Sequence, residues 1–270
     1  MTILVSWNLA GRVRSAPAQA AALAEQHADV LALQEVRVSS LGSWRAALRA
    51  AGYEHVLSTL DDRDARVRMP TDRRLGVLVA SREPVEPVAA PPEVPWSERL
   101  LVARVRIEGQ PAELYNLHSP ISSKRDRVKV RTLEAVTAQL AEPSELPRVL
   151  CGDLNTPQYE SREGEVSSFA RTRSGRLRPD YGERHDRAEL GIVIGLTEHG
   201  YRDAFRALHG YLRRDRSWVY PNGRMGYRLD HILVRGLEVA ACDYRHDLRE
   251  RRLSDHSAIW ADLRQFLSSR

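Results

Sequence analysis

Eight polar residues stand at the ends of apolar runs, where a rigid scaffold can aim them at one phosphate: Asn8, Glu35, His118, Asp153, Asn155, Asp230, Asp255 and His256. Glu35 closes the run Val30-Leu31-Ala32-Leu33-Gln34. Mg²⁺ takes hard oxygen ligands and keeps several waters, so one or two carboxylates suffice to hold it. Glu35 is therefore a candidate first ligand; the plain alternative is a solvated strand-end glutamate. Asn8 could orient Glu35 or touch the ion, or simply serve a turn. In Val149-Leu150-Cys151-Gly152-Asp153-Leu154-Asn155-Thr156-Pro157, Gly152 lets the backbone bend where the run ends. Asp153 and Asn155 are two apart and point the same way in extended chain. A carboxylate beside an amide can hold and deprotonate a water; an Asx turn would use the same residues. Asp230 can accept the ring N–H of His256, fixing its tautomer and raising its basicity, while Asp255 faces a metal. The ordinary alternative is a surface ion pair. His118 can donate to a phosphate oxygen or protonate a leaving group. Arg73 and Arg74 precede the run at Leu75, where an arginine could clamp a phosphate through two bonds.

The elements that must position these groups are short. Apolar β-branched runs alternate with Ala/Leu/Arg stretches of helical period. Strands are expected over 3–7, 29–34, 53–57, 75–80, 100–107, 112–118, 147–151, 228–234, 238–244 and 257–263. Helices are expected over 17–27, 44–51, 122–140 and 189–200. Glu108-Gly109-Gln110-Pro111 turns a hairpin, and the proline-rich stretch 84–95 is expected to be a loop. Residues 160–187 carry Arg171, Arg173, Arg176, Arg178, Arg184 and Arg187 among Ser, Gly and Pro, and are expected to form an exposed arginine-rich loop. Many strands mixed with helices imply two packed sheets flanked by helices, within a single domain over 1–265.

Composition narrows the classes. Apolar residues make up 42% of 270, enough for a sizeable core, and 29% are charged, so disorder is not the default. A formal charge of +5 favours polyanionic partners such as nucleic acid. Only Lys124 and Lys129 are lysines, and the abundance of Ala and Arg could equally reflect a GC-rich genome. Cys151 and Cys242 offer neither a disulfide framework nor a CxxC zinc site, which suits a reducing compartment. The N-terminal residues lack the pattern of a secretory signal, and no apolar run reaches the ~20 residues that span a bilayer. A soluble, cytoplasmic protein is expected, with no membrane association and no feature that demands an obligate protein partner.

Taken in order, the motifs Trp7-Asn8, Leu33-Gln34-Glu35, Arg74 to Val77, Asn116 to Pro120, Gly152 to Asn155, Arg228 to Leu233 and Ser254 to Ser257 resemble the endonuclease/exonuclease/phosphatase superfamily. Each motif is modest, but the ordered set spans nearly the whole chain. The resemblance implies an α/β fold, a four-layer αββα sandwich with two packed mixed β-sheets flanked by helices and an active site at one rim. It implies a divalent metal held by Glu35 with Asn8 and Asp255 nearby, Mg²⁺ or alternatively Mn²⁺. It implies that Asp153 and Asn155 bind or activate water, that Asp230 and His256 form a supporting pair, and that His118 contacts the phosphate. P–O hydrolysis would proceed without a covalent enzyme intermediate.

Within the superfamily, Asn116-Leu117-His118-Ser119-Pro120 looks closest to the deoxyribonuclease I-like branch. Ser217-Trp218 followed by Gly226-Tyr227-Arg228-Leu229-Asp230 resembles the exonuclease III-like branch. Trp218 and Tyr227 could stack on bases, or merely pack at the rim. Ala10 and Thr156-Pro157-Gln158-Tyr159 depart from the motifs of abasic-site endonucleases. The leading expectation is a Mg²⁺-dependent nuclease on DNA or RNA, with Asp153 or His256 as general base. The alternative is a phosphatase or phosphodiesterase acting on a small phosphorylated metabolite or lipid headgroup; a non-catalytic binding module is the third.

Overall fold

The computed structural model describes residues 1–62, 66, 69–70, 74–121, 127–220, 223 and 225–266. Arg73 and the first part of the expected 122–140 helix lie outside them. From the N-terminus run β1 (Thr2–Asn8), α1 (Ala16–Ala24), β2 (Val30–Arg37), α2 (Leu41–Ala50), β3 (His55–Ser58), β4 (Leu75–Ser81) and β5 (Glu86–Val88). There follow β6 (Leu100–Ile107), β7 (Gln110–His118), α3 (Val128–Ala141), β8 (Arg148–Asp153), β9 (Tyr159–Glu160), β10 (Val166–Ser167) and α4 (Gly182–Val193). The remainder is β11 (Arg202–Asp203), α5 (Ala204–His209), β12 (Trp218–Val219), β13 (Gly226–Tyr227), β14 (Asp230–Arg235), β15 (Glu238–Arg245), α6 (His246–Glu250) and β16 (Ala258–Arg264).

Two six-stranded sheets carry the fold. The first has the order β15-β16-β1-β2-β4-β3 and the second β11-β14-β8-β7-β6-β5. Each is mixed: β1–β2 and β7–β8 are parallel, and the other pairs are antiparallel. The continuous apolar runs of the central strands are what burial on both faces demands. Alternation then sorts each run between two cores. On β2, Val30 and Ala32 face the second sheet, whereas Leu31 and Leu33 pack with Trp44 and Leu48 of α2 and Leu23 of α1. On β8, Val149 and Cys151 face the first sheet, while Leu150 packs with Val130, Leu133 and Val136 of α3 and Ile192 of α4. The result is the four-layer αββα sandwich. Cys151 and Cys242 are buried free thiols.

Three expectations need correction. The proline-rich stretch contains β5, whose Pro87 is tolerated because this strand lies at the sheet edge. The hairpin between β6 and β7 is tighter than foreseen: only Glu108 (φ 49°) and Gly109 (φ 74°) turn it, both left-handed as a type I′ turn requires. Residues 160–187 are not one loop. They include the β9–β10 hairpin and the first residues of α4, and three of their arginines are held in ion pairs: Arg171 with Asp186 (2.6 Å), Arg184 with Glu134 (2.6 Å) and Arg187 with Glu183 (3.3 Å).

Candidate active site

The parallel pairs set the site. In both sheets they run toward the same rim, so β1 and β2 deliver Asn8 and Glu35 there, and β7 and β8 deliver His118 and Asp153. The antiparallel β14 begins at that rim, placing Asp230 opposite Asp153. His256 stands two residues before the start of β16. A cavity of ≈ 390 Å³ opens between these ends; Glu35, His118, Asp153, Asn155, Asp255 and His256 line it, with Phe169, Trp218, Tyr220 and Tyr227 on one side.

Local backbone choices aim the groups. Strand β2 slips register against β4 between Leu33 and Val36, and Glu35 takes φ 58° within that bulge. A bulge turns a side chain that regular pleating would send elsewhere. Asn155 is likewise left-handed at φ 52°, and its backbone N–H donates to Asp153 Oδ1 at 2.9 Å. Gly152 takes φ 129°, and a Cβ there would lie 1.9 Å from the Leu117 carbonyl oxygen, so only glycine permits β8 to approach β7 this closely.

The buried Asn8 amide binds the carboxylates together. Its Nδ2 donates to Asp153 Oδ2 at 3.0 Å and Glu35 Oε1 at 3.3 Å, while its Oδ1 accepts from the Ala10 N–H at 2.9 Å. In this orientation Asn8 positions Glu35. Asp230 Oδ2 accepts from His256 Nδ1 at 2.8 Å, leaving His256 Nε2 facing Asp153 Oδ2 at 3.8 Å. Burial opposes charge on His256, but Asp230 and Asp153 outweigh it and push the imidazole up to about 10. Burial pushes Asp153 up to about 7, reinforced by Asp230 and opposed by His256. His118 moves the other way: burial first, then the cations Arg99 and His256, hold it well below the ordinary imidazole range. The Arg99 guanidinium contacts His118 Nδ1. Arginine can only donate, so Nδ1 must accept and the ring proton sits on Nε2, 3.5 Å from Glu35 Oε1.

Two groups of oxygens bear on a metal. Glu35, with 24% of its side chain exposed, and the exposed Asp255 are hard carboxylates lining the cavity, a donor set suited to a hydrated divalent ion. Asp153, Asp230 and His256 also bring ligand atoms within 4.8 Å of one another. There, however, one carboxylate oxygen and one ring nitrogen are already spent on each other.

Trp218 and Tyr227 lie in the cavity wall, stacked at 6.1 Å, and the Trp218 indole donates to Asp255 Oδ2 at 3.1 Å. Arg74 is not brought to this cavity. It is exposed beside Val38, three residues beyond Glu35, because β4 runs antiparallel to β2 and begins past the bulge.

Several supporting residues escaped the sequence reading. The Trp7 indole donates to the His256 carbonyl at 3.0 Å, and Ser254 Oγ bridges the Asn8 carbonyl (2.6 Å) and the His256 N–H (3.1 Å). Ser217 Oγ accepts from the N–H groups of Leu229 and Asp230. Beneath the Asp153–Asn155 turn, buried Lys129 pairs with Glu189 and donates to the Asn155 carbonyl at 2.7 Å. Glu189 in turn accepts from the Phe169 N–H and Thr156 Oγ1. Its rarity was an available signal: a lysine kept in an arginine-rich chain marks a place for a compact ammonium. Arg99 carried no such mark.

The sequence model described as Endonuclease/Exonuclease/phosphatase family matches residues 5–256. Among solved structures, an AP endonuclease from Archaeoglobus fulgidus superposes with a TM-score of 0.72 at 22% identity, covering 97% of this chain and 98% of that one. A humanized TDP2 from D. rerio gives 0.68 at 19%, covering 98% and 99%. A 3'-5' exonuclease from Neisseria meningitidis gives 0.67 at 18%, covering 96% and 98%. No curated protein matches the sequence.

Proposed function

The chain belongs to the endonuclease/exonuclease/phosphatase family, and from that premise we propose that it is a divalent-metal-dependent nuclease that cleaves phosphodiesters by direct attack of water. Membership makes it a hydrolase of phosphoric esters. The observation that carries the nuclease reading is one cavity in which Glu35, Asp153, His118 and His256 meet beside a wall of aromatic rings able to stack bases. Similarity to an AP endonuclease and a 3'-5' exonuclease favours DNA as the polymer.

Each residue has a role that follows from its contacts. Glu35, steadied by Asn8, would be the primary ligand for Mg²⁺ or Mn²⁺, with the exposed Asp255 as a second carboxylate lining the same cavity. When bound, the cation supplies charge neutralisation at a non-bridging phosphoryl oxygen. Asp153 is the general base, because a carboxylate raised toward neutrality holds a water proton well, and the left-handed Asn155 fixes its orientation. His256 is already protonated near neutrality and so serves as a cationic donor from Nε2 to the phosphoryl group, held by Asp230. Neutral His118 offers a second N–H from Nε2. Trp218 and Tyr227 bind the base or sugar beside the scissile bond.

A panel of labelled single-strand, duplex, abasic and RNA substrates tests this reading. Cleavage of at least one DNA form in Mg²⁺, lost in EDTA and restored by added metal, is expected. Hydrolysis of small phosphomonoesters with every polymer left intact would sink the nuclease reading and favour a phosphatase.

A further inference from the structure

Tyr227 lines three cavities at once. One is the catalytic cavity; the others, of ≈ 450 and ≈ 500 Å³, lie on its far side and share Gln158, Tyr159, Arg216 and Gly226 with each other. Gly226 makes this thin partition possible, since a Cβ there would meet the Trp218 carbonyl oxygen at 2.3 Å. The larger of the two is lined by Arg173, Arg178 and Arg216, and by no carboxylate among its described residues. The carboxylates of the smaller are engaged: Glu160 by Arg206 and Arg228, and Asp215 by His246 at 2.8 Å.

Four of the arginines are not similarly engaged. Among the described residues Arg173, Arg178, Arg214 and Arg216 form no ion pair with a carboxylate. Arg173 reaches the Met225 sulfur (3.2 Å), a weak acceptor, Arg178 Nε donates to the Arg171 carbonyl at 3.0 Å, and Arg214 lies over the Tyr159 ring at 5.2 Å. Cationic forks without carboxylates, in a trough that meets the catalytic cavity at Tyr227, match the spaced anions of a polymer.

We propose that this trough is a second phosphate-binding subsite, which holds the backbone of a single polynucleotide strand as it leaves the catalytic cavity past Tyr227. The proposal rests on the nuclease reading, since the strand it holds is the substrate. A single strand is assigned because its unpaired bases can lie against Trp218, Tyr220 and Tyr227 while the backbone follows the arginines; a duplex keeps those faces stacked inside.

Binding can be read apart from cleavage, by fluorescence anisotropy of a fluorescein-labelled oligothymidylate of about 12 nucleotides in EDTA. The charge-reversed variant Arg173→Glu/Arg216→Glu is expected to raise Kd at least about tenfold and to flatten the plot of log K against log salt by roughly 1.4, two contacts at ~0.7 each. Arg173→Lys/Arg216→Lys should keep most of the slope, and Arg173→Gln/Arg216→Gln gives the same test without charge reversal. Thermal melting checks that each variant is folded. Unchanged Kd and slope in the folded Glu and Gln variants, or no saturable binding by the wild-type chain, would overturn the subsite. Equal loss of affinity for a blunt duplex would overturn its assignment to a single strand. Wild-type binding that falls in the variants, with no cleavage by the wild type in Mg²⁺, would sink the nuclease reading and leave the subsite standing.

Discussion

His256 and His118 face one cavity in opposite charge states, and the difference lies in their partners. A carboxylate, Asp230, overcomes burial to hold the first as a cation; burial, reinforced by the Arg99 guanidinium, holds the second neutral. This fixes the sign of the pH response. Asp153 must be deprotonated to accept a proton, so kcat/KM should rise as pH climbs through about 7. His256 must stay protonated to donate, so it should fall again as pH climbs through about 10. Asp230→Asn removes the main support of the imidazolium and should move the alkaline limb down by roughly one to three pH units. A pH–rate series on both proteins checks this, and a limb that stays in place would remove His256 from the donor role. The polar residues of the rim were legible in the sequence because each closes or opens an apolar run. Arg99 was not, because nothing local tells that an arginine turns inward. Arg74 misled for the converse reason: its place ahead of a strand resembled a clamp, but strand direction carries it past the cavity.

At the level of elements, the close approach of β7 and β8 is what brings His118 beside Asp153. Gly152→Ala sets a methyl group against the Leu117 backbone, which cannot swing aside as a side chain would, and adds strain at φ 129°. A loss of stability on the order of 3 kcal/mol or more is expected, read as a lower urea midpoint, with activity falling in step. The turn that follows β8 rests on Lys129. Lys129→Met removes the ammonium and leaves the buried Glu189 carboxylate with His185 Nε2 at 2.9 Å as a remaining ionisable partner, at a cost of about 3 kcal/mol. Adding Glu189→Gln removes that charge but keeps an acceptor for the Phe169 N–H, so the double variant should recover part of the loss in a denaturation series. Lower stability in the double variant than in Lys129→Met would contradict the ion-pair account. The long strands were legible to within a few residues because their runs are apolar throughout. Short pieces such as β5, β9 and α5 were not, since they are set by edge pairing and packing and leave no period of their own.

Across the whole molecule, buried ion pairs couple stability to acid. Burial disfavours the charge of Glu160, yet Arg228 and Arg206 hold it down from its ordinary 4.5 to about 2. Glu189 is likewise held to about 2 against burial, chiefly by Lys129. Both carboxyls have depressed values in the fold, so their stabilisation is present above about pH 4.5 and is lost as pH falls toward 2. Each is worth on the order of 3 kcal/mol, at ~1.4 kcal/mol per pH unit. Thermal unfolding should therefore show Tm falling steeply over that window, and Glu160→Gln should flatten the fall. Two packed sheets flanked by helices were readable from the many apolar runs mixed with helical stretches, and the four-layer αββα order came with the resemblance to the superfamily. The pairing of these charges was not readable, because Glu160, Asp203 and Arg228 are far apart in the chain and meet only through the tertiary fold. One contact joins the halves of the catalytic rim more directly. The Asn116 amide of β7 donates to the Leu33 and Leu78 carbonyls of the first sheet, and Gln34 of β2 donates back to Asn116 Oδ1 at 2.8 Å. This clasp lies in the interior just behind Glu35 and His118. Sliding one sheet over the other would break these three hydrogen bonds and leave the buried Asn116 amide without partners away from water. The two banks of the cleft are thus pinned against shear from within, so the offset of Glu35 from His118 is set by the interior of the sandwich.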